Sequence, residues 1–232
     1  MNSCEKLGII NFSNNCYLNV IIQLFLCNKY TSNIIIHYLE ILDKKIINPE
    51  KLIKKLKSKI DITIENDSQE VFMHILDLIP ELEKYYKNSI KNFYTCQECN
   101  KCRTIEDTFT TFYIHSSSLE DSIKQLLKKE MFSLECENCK KNTITNKTCK
   151  INKLGKVLIF FNIVKNNLII NNNIKFGTSN YKLTGIIKHY GDQNNGHYVF
   201  IDFINKLLID DTSVTQLENI PNDNIYLLFY TC

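Results

Sequence analysis

At 232 residues the chain is long enough to bury a real core, in one large domain or two small ones. Its 44% hydrophobic and 23% charged content is that of an ordinary globular protein. A net charge of +3, a single arginine (Arg103) and no basic stripe interleaved with aromatics argue against a nucleic-acid partner. The N-terminus, MNSCEKLGIINF, has neither a basic n-region nor an apolar h-region, so no secretory signal is expected. Val20 to Cys27 and Lys156 to Val164 are the longest apolar runs, broken by Gln23 and Asn162. Both fall far short of the ~20 residues that span a bilayer. The expectation is a soluble chain with no membrane partner, in the cytoplasm or nucleus, or in the host cytoplasm were the gene viral. Ten cysteines in such a compartment point to metal rather than to disulfides.

The first region, about 1–92, reads as helical. In GIINFSNNCYLNVIIQ an asparagine-rich loop becomes an apolar helix at Cys16. From Tyr17 to Leu26 only Asn19 and Gln23 are polar, four apart and so on one face, which places this helix inside the domain. The positive end of the helix dipole favours a thiolate at its first residue. A buried small hydrophobe is the alternative role for Cys16. Thr31-Ser32 offers the N-cap of a second helix, running to about Ile47. Asn48-Pro49 starts a third, with Leu52, Ile53, Leu56 and Ile60 on its apolar face. Asp67-Ser68-Gln69-Glu70 has capping-box spacing and opens a fourth, which Pro80 ends or kinks.

The second region, about 93–150, carries Cys96-Gln97-Glu98-Cys99 and Cys136-Glu137-Asn138-Cys139, two CxxC pairs separated by 36 residues. Two such knuckles complete a tetrahedral site for one structural zinc ion. Four sulfur ligands leave no open position, so the metal would hold structure and take no part in catalysis. Cys102 continues the first spacing and competes as a ligand. No organic cofactor is expected.

The third region, about 151–232, reads as short β-branched and aromatic strands separated by Asn/Gly clusters, forming a largely antiparallel sheet against the helices. Asn166 to Asn173 reads as a polar loop. Within it all, a thiol at Cys16 would need an imidazole as general base. His189 and His197 frame HYGDQNNGHYVF between two strands; the glycine before His197 favours that residue, and His189 stays possible on position alone. Asp210 and Asp211 end a later strand, where an acid would hold the imidazole tautomer. Spacing alone does not choose between them.

These blocks together resemble the ubiquitin-specific proteases. The opening stretch is similar to their cysteine box, close to GLxNxGNTCYMNSxLQ, with Gly8, Asn11, Asn14, Cys16, Tyr17, Asn19 and Gln23 matching. GIIKHYGDQNNGHYVFI resembles the histidine box, and LLIDDTSVTQL with IYLLFY resembles the terminal acidic segment and last strand. NDSQEVFMHILDLI looks like the QDAxEFLxxLLDxL helix, and KVLIFFNI sits near the PxVLxIxLxRF strand. The resemblance implies an α+β, papain-like cysteine protease fold with a helical thumb, zinc-ribbon β fingers and an antiparallel β palm, as one catalytic domain over 1–232. Carried over, Cys16 is the nucleophile, His197 the base, Asp210 the orienting acid and Asp211 an auxiliary. Asn11 helps form the oxyanion hole, while Asp67 and Glu70 meet the basic tail of ubiquitin. The implied activity is hydrolysis at the C-terminal glycine of ubiquitin by a monomer, with ubiquitin and ubiquitinated proteins as partners. A protease for a ubiquitin-like modifier and a non-catalytic ubiquitin-binding module are the alternatives. The chain departs from the pattern where GNTC becomes SNNC: Ser13 replaces a glycine and Asn15 a threonine. Ser13 would be awkward if that turn needs positive φ.

Overall fold

The chain enters through a two-residue strand, β1 (Gly8–Ile9), and an asparagine loop that delivers it into helix α1 (Cys16–Cys27). The computed structural model describes residues 7–42, 46–62, 64–164, 168–192 and 196–232. Helix α1 is wrapped on all sides: Tyr17, Leu18, Ile21, Ile22 and Phe25 have no solvent exposure. Burying each such side chain stabilises the fold by roughly 1.5–3 kcal/mol. Its polar positions share one face, and both reach the entering chain. Gln23 donates to the Leu7 carbonyl at 2.6 Å and Asn19 to that of Ile10 at 3.4 Å, tying the incoming strand to the helix.

The second expected helix is cut short. Helix α2 covers only Ser32–Ile35, a 3-10 turn follows over Ile36–Tyr38, and the chain then forms β2 (Glu40–Leu42) and β3 (Ile46–Asn48). β2 and β3 are antiparallel, and β3 lies parallel to β1. Isoleucine-rich sequence resists helix and suits strand, and β1 supplies a non-local edge for it to pair with. Helix α3 (Glu50–Leu56) begins directly after Pro49 and buries Leu52, Ile53 and Leu56. In α4 (Ser68–Leu78) the Asp67 carboxylate caps the backbone N–H groups of Gln69 and Glu70 at 2.7 and 3.3 Å. Pro80 then opens α5 (Pro80–Tyr86) at a position where its missing N–H costs nothing.

Strands β4 (Asn88–Cys96) and β5 (Cys102–Phe109) start the fingers, but the next elements leave them. β6 (Thr111–Ile114) joins the palm sheet and α6 (Leu119–Leu126) packs beside it. β7 (Glu130–Cys136) and β8 (Lys141–Lys153) then return, giving a finger sheet ordered β5-β4-β8-β7. The segment 93–150 is therefore interrupted by a piece of the palm.

The palm sheet adds β9 (Val157–Asn162), β10 (Asn173–Phe176), β11 (Ser179–Gly191), β12 (Gly196–Asp202), β13 (Leu207–Asp210), β14 (Ser213–Gln216) and β15 (Ile225–Thr231). Its order is β14-β13-β12-β11-β15-β9-β6, with β10 alongside β11; among the described residues of this sheet only β6 and β9 pair in parallel. Central strand β15 alternates between two cores. Tyr226, Leu227 and Phe229 face the helices, while Ile225, Leu228 and Tyr230 face the other side of the sheet. Part of the expected polar loop 166–173 lies outside the described residues. The rest is anchored: Leu168 is buried, Ile169 N–H bonds to the Ser117 carbonyl at 2.9 Å, and the Tyr230 hydroxyl to that of Asn171 at 2.8 Å. No described helix is long and apolar enough to cross a membrane.

Candidate active site

The loop before α1 is shaped by asparagine side chains. Asn14 takes the left-handed conformation, with φ 50°, so the turn's strained position falls on Asn14 and Ser13 is spared it. Asparagine tolerates that region better than most residues. Asn15 folds the loop onto itself: its Oδ1 accepts from the N–H groups of Phe12 and Ser13 at 2.7 and 3.2 Å. Its own backbone N–H donates to Asn11 Oδ1 at 3.1 Å, and its carbonyl receives the first helical bonds, from Leu18 and Asn19. Cys16 follows as the first residue of α1, 4% exposed.

Helix α1 packs on β12, which brings His197 to the same place. The Tyr198 backbone N–H, one residue beyond His197, favours the Cys16 thiolate. His197 Nε2 lies 2.6 Å from Asp210 Oδ1, and both side chains are a little under half exposed, so the pair is open to a substrate. A carboxylate only accepts, so Nε2 carries the proton and the lone pair of a neutral ring sits on Nδ1. His189, the other positional candidate, does a different job. Its ring stacks on Tyr198 at 4.3 Å and packs near Tyr226. It also explains Gly196, where a Cβ would stand 2.0 Å from His189 Nε2.

The adjacent acids take different partners, although a carboxylate oxygen of each lies within 4.8 Å of the other and of the His197 ring; Asp211 is left-handed, with φ 49°. Asp210 serves the imidazole. Asp211 Oδ2 accepts from Asn11 Nδ2 and its Oδ1 from Asn19 Nδ2, both at 2.7 Å. The Asp211 carbonyl also receives Ile9 N–H at 2.8 Å. This docking needs Gly8, where a Cβ would lie 2.4 Å from the Thr212 carbonyl oxygen.

The thiol does not follow the helix-dipole expectation. Burial pushes the Cys16 pKa above its ordinary value; the Tyr198 and Tyr17 N–H groups pull it down, and the Asp211 and Glu65 charges push it up. Burial is the largest of these influences, and it disfavours the thiolate. Glu65 comes from the thumb segment before α4, where its carboxylate accepts the Gly196 N–H at 2.9 Å. That bond ties the thumb to the histidine strand.

At the far end of the fingers the two CxxC turns face each other. Each places a left-handed residue just after its second cysteine, Asn100 and Lys140. Gln97 N–H bonds across to the Ile144 carbonyl at 2.9 Å. The sulfurs of Cys96, Cys99, Cys136 and Cys139 all lie within 4.8 Å of one another, with Cys96–Cys139 at 3.9 Å and Cys99–Cys136 at 3.7 Å. A tetrahedron of sulfurs at the ~2.3 Å Zn–S distance has edges of about 3.8 Å. The donor set therefore fits a tetrahedral thiophilic metal. The Thr143 hydroxyl helps hold the Cys96 thiol down at about 6. Cys139 is pushed up to about 12, first by the Cys99 sulfur. A dication would remove the cost of that last ionisation. Cys102 is exposed, its sulfur near its neighbour's carbonyl, and stays outside the cluster.

The family model of ubiquitin carboxyl-terminal hydrolases matches residues 7–230. The chain belongs to the ubiquitin carboxyl-terminal hydrolase family. It is 23% identical over 217 residues to the probable ubiquitin carboxyl-terminal hydrolase 8 of Schizosaccharomyces pombe, covering 77% of this chain and 48% of that protein. It is 24% identical over 203 residues to the probable ubiquitin carboxyl-terminal hydrolase FAF of Drosophila melanogaster, covering 62% of this chain and 7% of that one. The chain thus spans about half or less of the length of these relatives. Among solved structures, the SAGA Ubp8/Sgf11/Sus1/Sgf73 DUB module bound to ubiquitin aldehyde superposes with a TM-score of 0.78 at 18% identity, covering 97% of this chain and 69% of that chain. The same module bound to monoubiquitin gives 0.79 at 18%, with the same coverage. The fold is the α+β hydrolase fold of that family.

The structure brings His197, Asp210 and Asp211 within 4.8 Å of one another with Asn11 bonded to Asp211, sets Cys16 at the start of the helix packed on the His197 strand, and gathers the four cysteines in a second cluster. Asp67 and Glu70 bond to other partners. Asp67 Oδ1 is the helix cap and its Oδ2 accepts from the Tyr226 hydroxyl, while Glu70 pairs with His74 at 3.7 Å. Asn15 and Glu65 are the residues that sequence reasoning passed over. Asn15 carried a signal, as a buriable amide placed directly before the thiol; Glu65 carried none.

Proposed function

We propose that this chain is a thiol-dependent deubiquitinase that hydrolyses isopeptide and peptide bonds at the C-terminal glycine of ubiquitin. The observation that carries the reading is the His197–Asp210 bond, which leaves Nδ1 as the free base on the strand that packs against the Cys16 helix. His197 Nδ1 takes the Cys16 proton as sulfur attacks the glycine carbonyl carbon, giving a tetrahedral oxyanion. Asn11 Nδ2, with one N–H held by Asp211, offers its other to that oxygen, together with the Cys16 backbone N–H. One such donor is typically worth about 10²–10³ in rate. The imidazolium then protonates the departing lysine amine as the C–N bond breaks, leaving a thioester on Cys16. Water, deprotonated by His197, cleaves the thioester and restores the thiol. Burial disfavours a free thiolate at Cys16, so the proposed cycle includes proton transfer from Cys16 to His197.

Cys96, Cys99, Cys136 and Cys139 would hold one zinc ion, which supplies rigidity to the fingertip and no reactive position. Asp67 and Glu70 are assigned to the basic tail of ubiquitin; Asp67 would do this with a carboxylate already fixed by the helix and by Tyr226. The monomer acts on ubiquitinated proteins. Purified chain should release fluorophore from a C-terminal ubiquitin amide, and Cys16→Ala should abolish this. Turnover confined to a ubiquitin-like amide would transfer the reading to that modifier. Binding of ubiquitin with no turnover would make the chain a recognition module.

A further inference from the structure

We propose that Asn15, the residue directly before the thiol, is a positioning residue that sets the orientation of the Asn11 amide; this rests on the oxyanion role given to Asn11 above. Asn15 is 3% exposed, and every polar atom of its amide is engaged. Its contacts close a ring. Asn15 N–H donates to Asn11 Oδ1 at 3.1 Å, and Asn11 Nδ2 donates to Asp211 Oδ2 at 2.7 Å. Asn19 Nδ2 donates to Asp211 Oδ1 at 2.7 Å, and Asn15 Nδ2 closes the circuit by donating to Asn19 Oδ1 at 3.0 Å.

The ring admits one orientation of the Asn11 amide. A flipped amide would set its oxygen against the Asp211 carboxylate and its NH₂ against the Asn15 N–H, two repulsive contacts in place of two bonds. Asn15 holds both ends of this choice. Its backbone N–H grips the oxygen side, aimed there by the left-handed Asn14 and by the bonds from Phe12 and Ser13 to Asn15 Oδ1. Through Asn19 its side chain holds the carboxylate that grips the nitrogen side. A threonine, as in the family pattern, has one oxygen and no second arm to span from the Phe12 N–H to Asn19. The device belongs to the SNNC form of the loop.

The test is a double-mutant cycle with the fluorogenic ubiquitin amide. Asn15→Ala should lower kcat by about 10–10² while ubiquitin affinity, measured in the Cys16→Ala background, stays within about twofold. In an Asn11→Ala chain the same substitution should cost nothing further in kcat, because the amide it positions is gone. An equal loss in both backgrounds, or unchanged kcat in Asn15→Ala, overturns the proposal. If Asn15→Ala melts below the assay temperature, Asn15→Thr, which keeps one acceptor for the loop, carries the same cycle. A readout independent of turnover separates this proposal from the activity itself. The Asn11 side-chain N–H resonance that bonds Asp211, assigned by its disappearance in Asn11→Ala, should be protected from exchange in the wild type and lose that protection in Asn15→Ala. Protection that survives the substitution contradicts the positioning role even if no substrate is cleaved.

Discussion

The cysteine loop and the fingertip are both turns that place thiols, yet they are held by opposite means. Around Cys16 the order comes from buried amides and one carboxylate, with the apolar wrap of α1 beneath them. In the fingers, β5 and β7 expose most of their residues, whereas β9 and β15 bury nearly all of theirs. Strands so exposed gain little hydrophobic stabilisation, and the four-sulfur cluster stands where a core would be. A region held by its own core and one that would lean on a bound metal should therefore fail differently.

The largest expected effect breaks that comparison open. Structural zinc contributes about 10–16 kcal/mol of apparent binding energy in small zinc-finger peptides. Chelation, or Cys99→Ser, should abolish hydrogen-exchange protection across β4, β5, β7 and β8 while α1 keeps its protection. Loss of both together would mean that the two regions are one cooperative unit. Next in size, Asn11→Ala should lower kcat by about 10²–10³ with little change in melting temperature, measured by turnover and thermal melts. Asp211→Asn follows. A hydrogen bond to a charged group is worth about 1.5–3 kcal/mol, so kcat should fall by about 10–10², with a lower melting temperature because Asn19 also loses its partner. The smallest effect concerns the thiol. Iodoacetamide alkylation of Cys16 needs the thiolate, so a raised pKa moves the rise in rate to higher pH, with a midpoint above the unperturbed 9.0. Removing one negative charge by Glu65→Gln should move that midpoint down towards 9.0, and a midpoint moving up would contradict the electrostatic account.

Much of this was legible in the chain. The spacing of Asn19 and Gln23 located one polar face on an otherwise apolar helix, and the structure uses it to bind the entering strand. The CxxC spacing located the four sulfurs that meet. What escaped depended on distant partners. The stretch after Thr31 has a helix cap by its letters, but its isoleucines pair with β1, which lies about forty residues earlier. Nothing local says that Thr111–Ile114 leaves the fingers to run parallel to β9. Two adjacent aspartates cannot be told apart by type, and their division of labour follows from the partners each meets in the fold. The thiol was misjudged for the same reason. A helix dipole is read from one segment, whereas burial, the largest influence on this thiol, depends on the whole fold.

The central claim is that Cys16 attacks the ubiquitin C-terminal carbonyl with His197 as its base. Incubating the chain with a ubiquitin bearing a C-terminal electrophile, and weighing the product by mass spectrometry, tests it most directly. The account expects one stable adduct mapped to Cys16, absent in Cys16→Ala and strongly slowed in His197→Ala. An adduct on any other cysteine, or none with a folded wild-type chain, would contradict it.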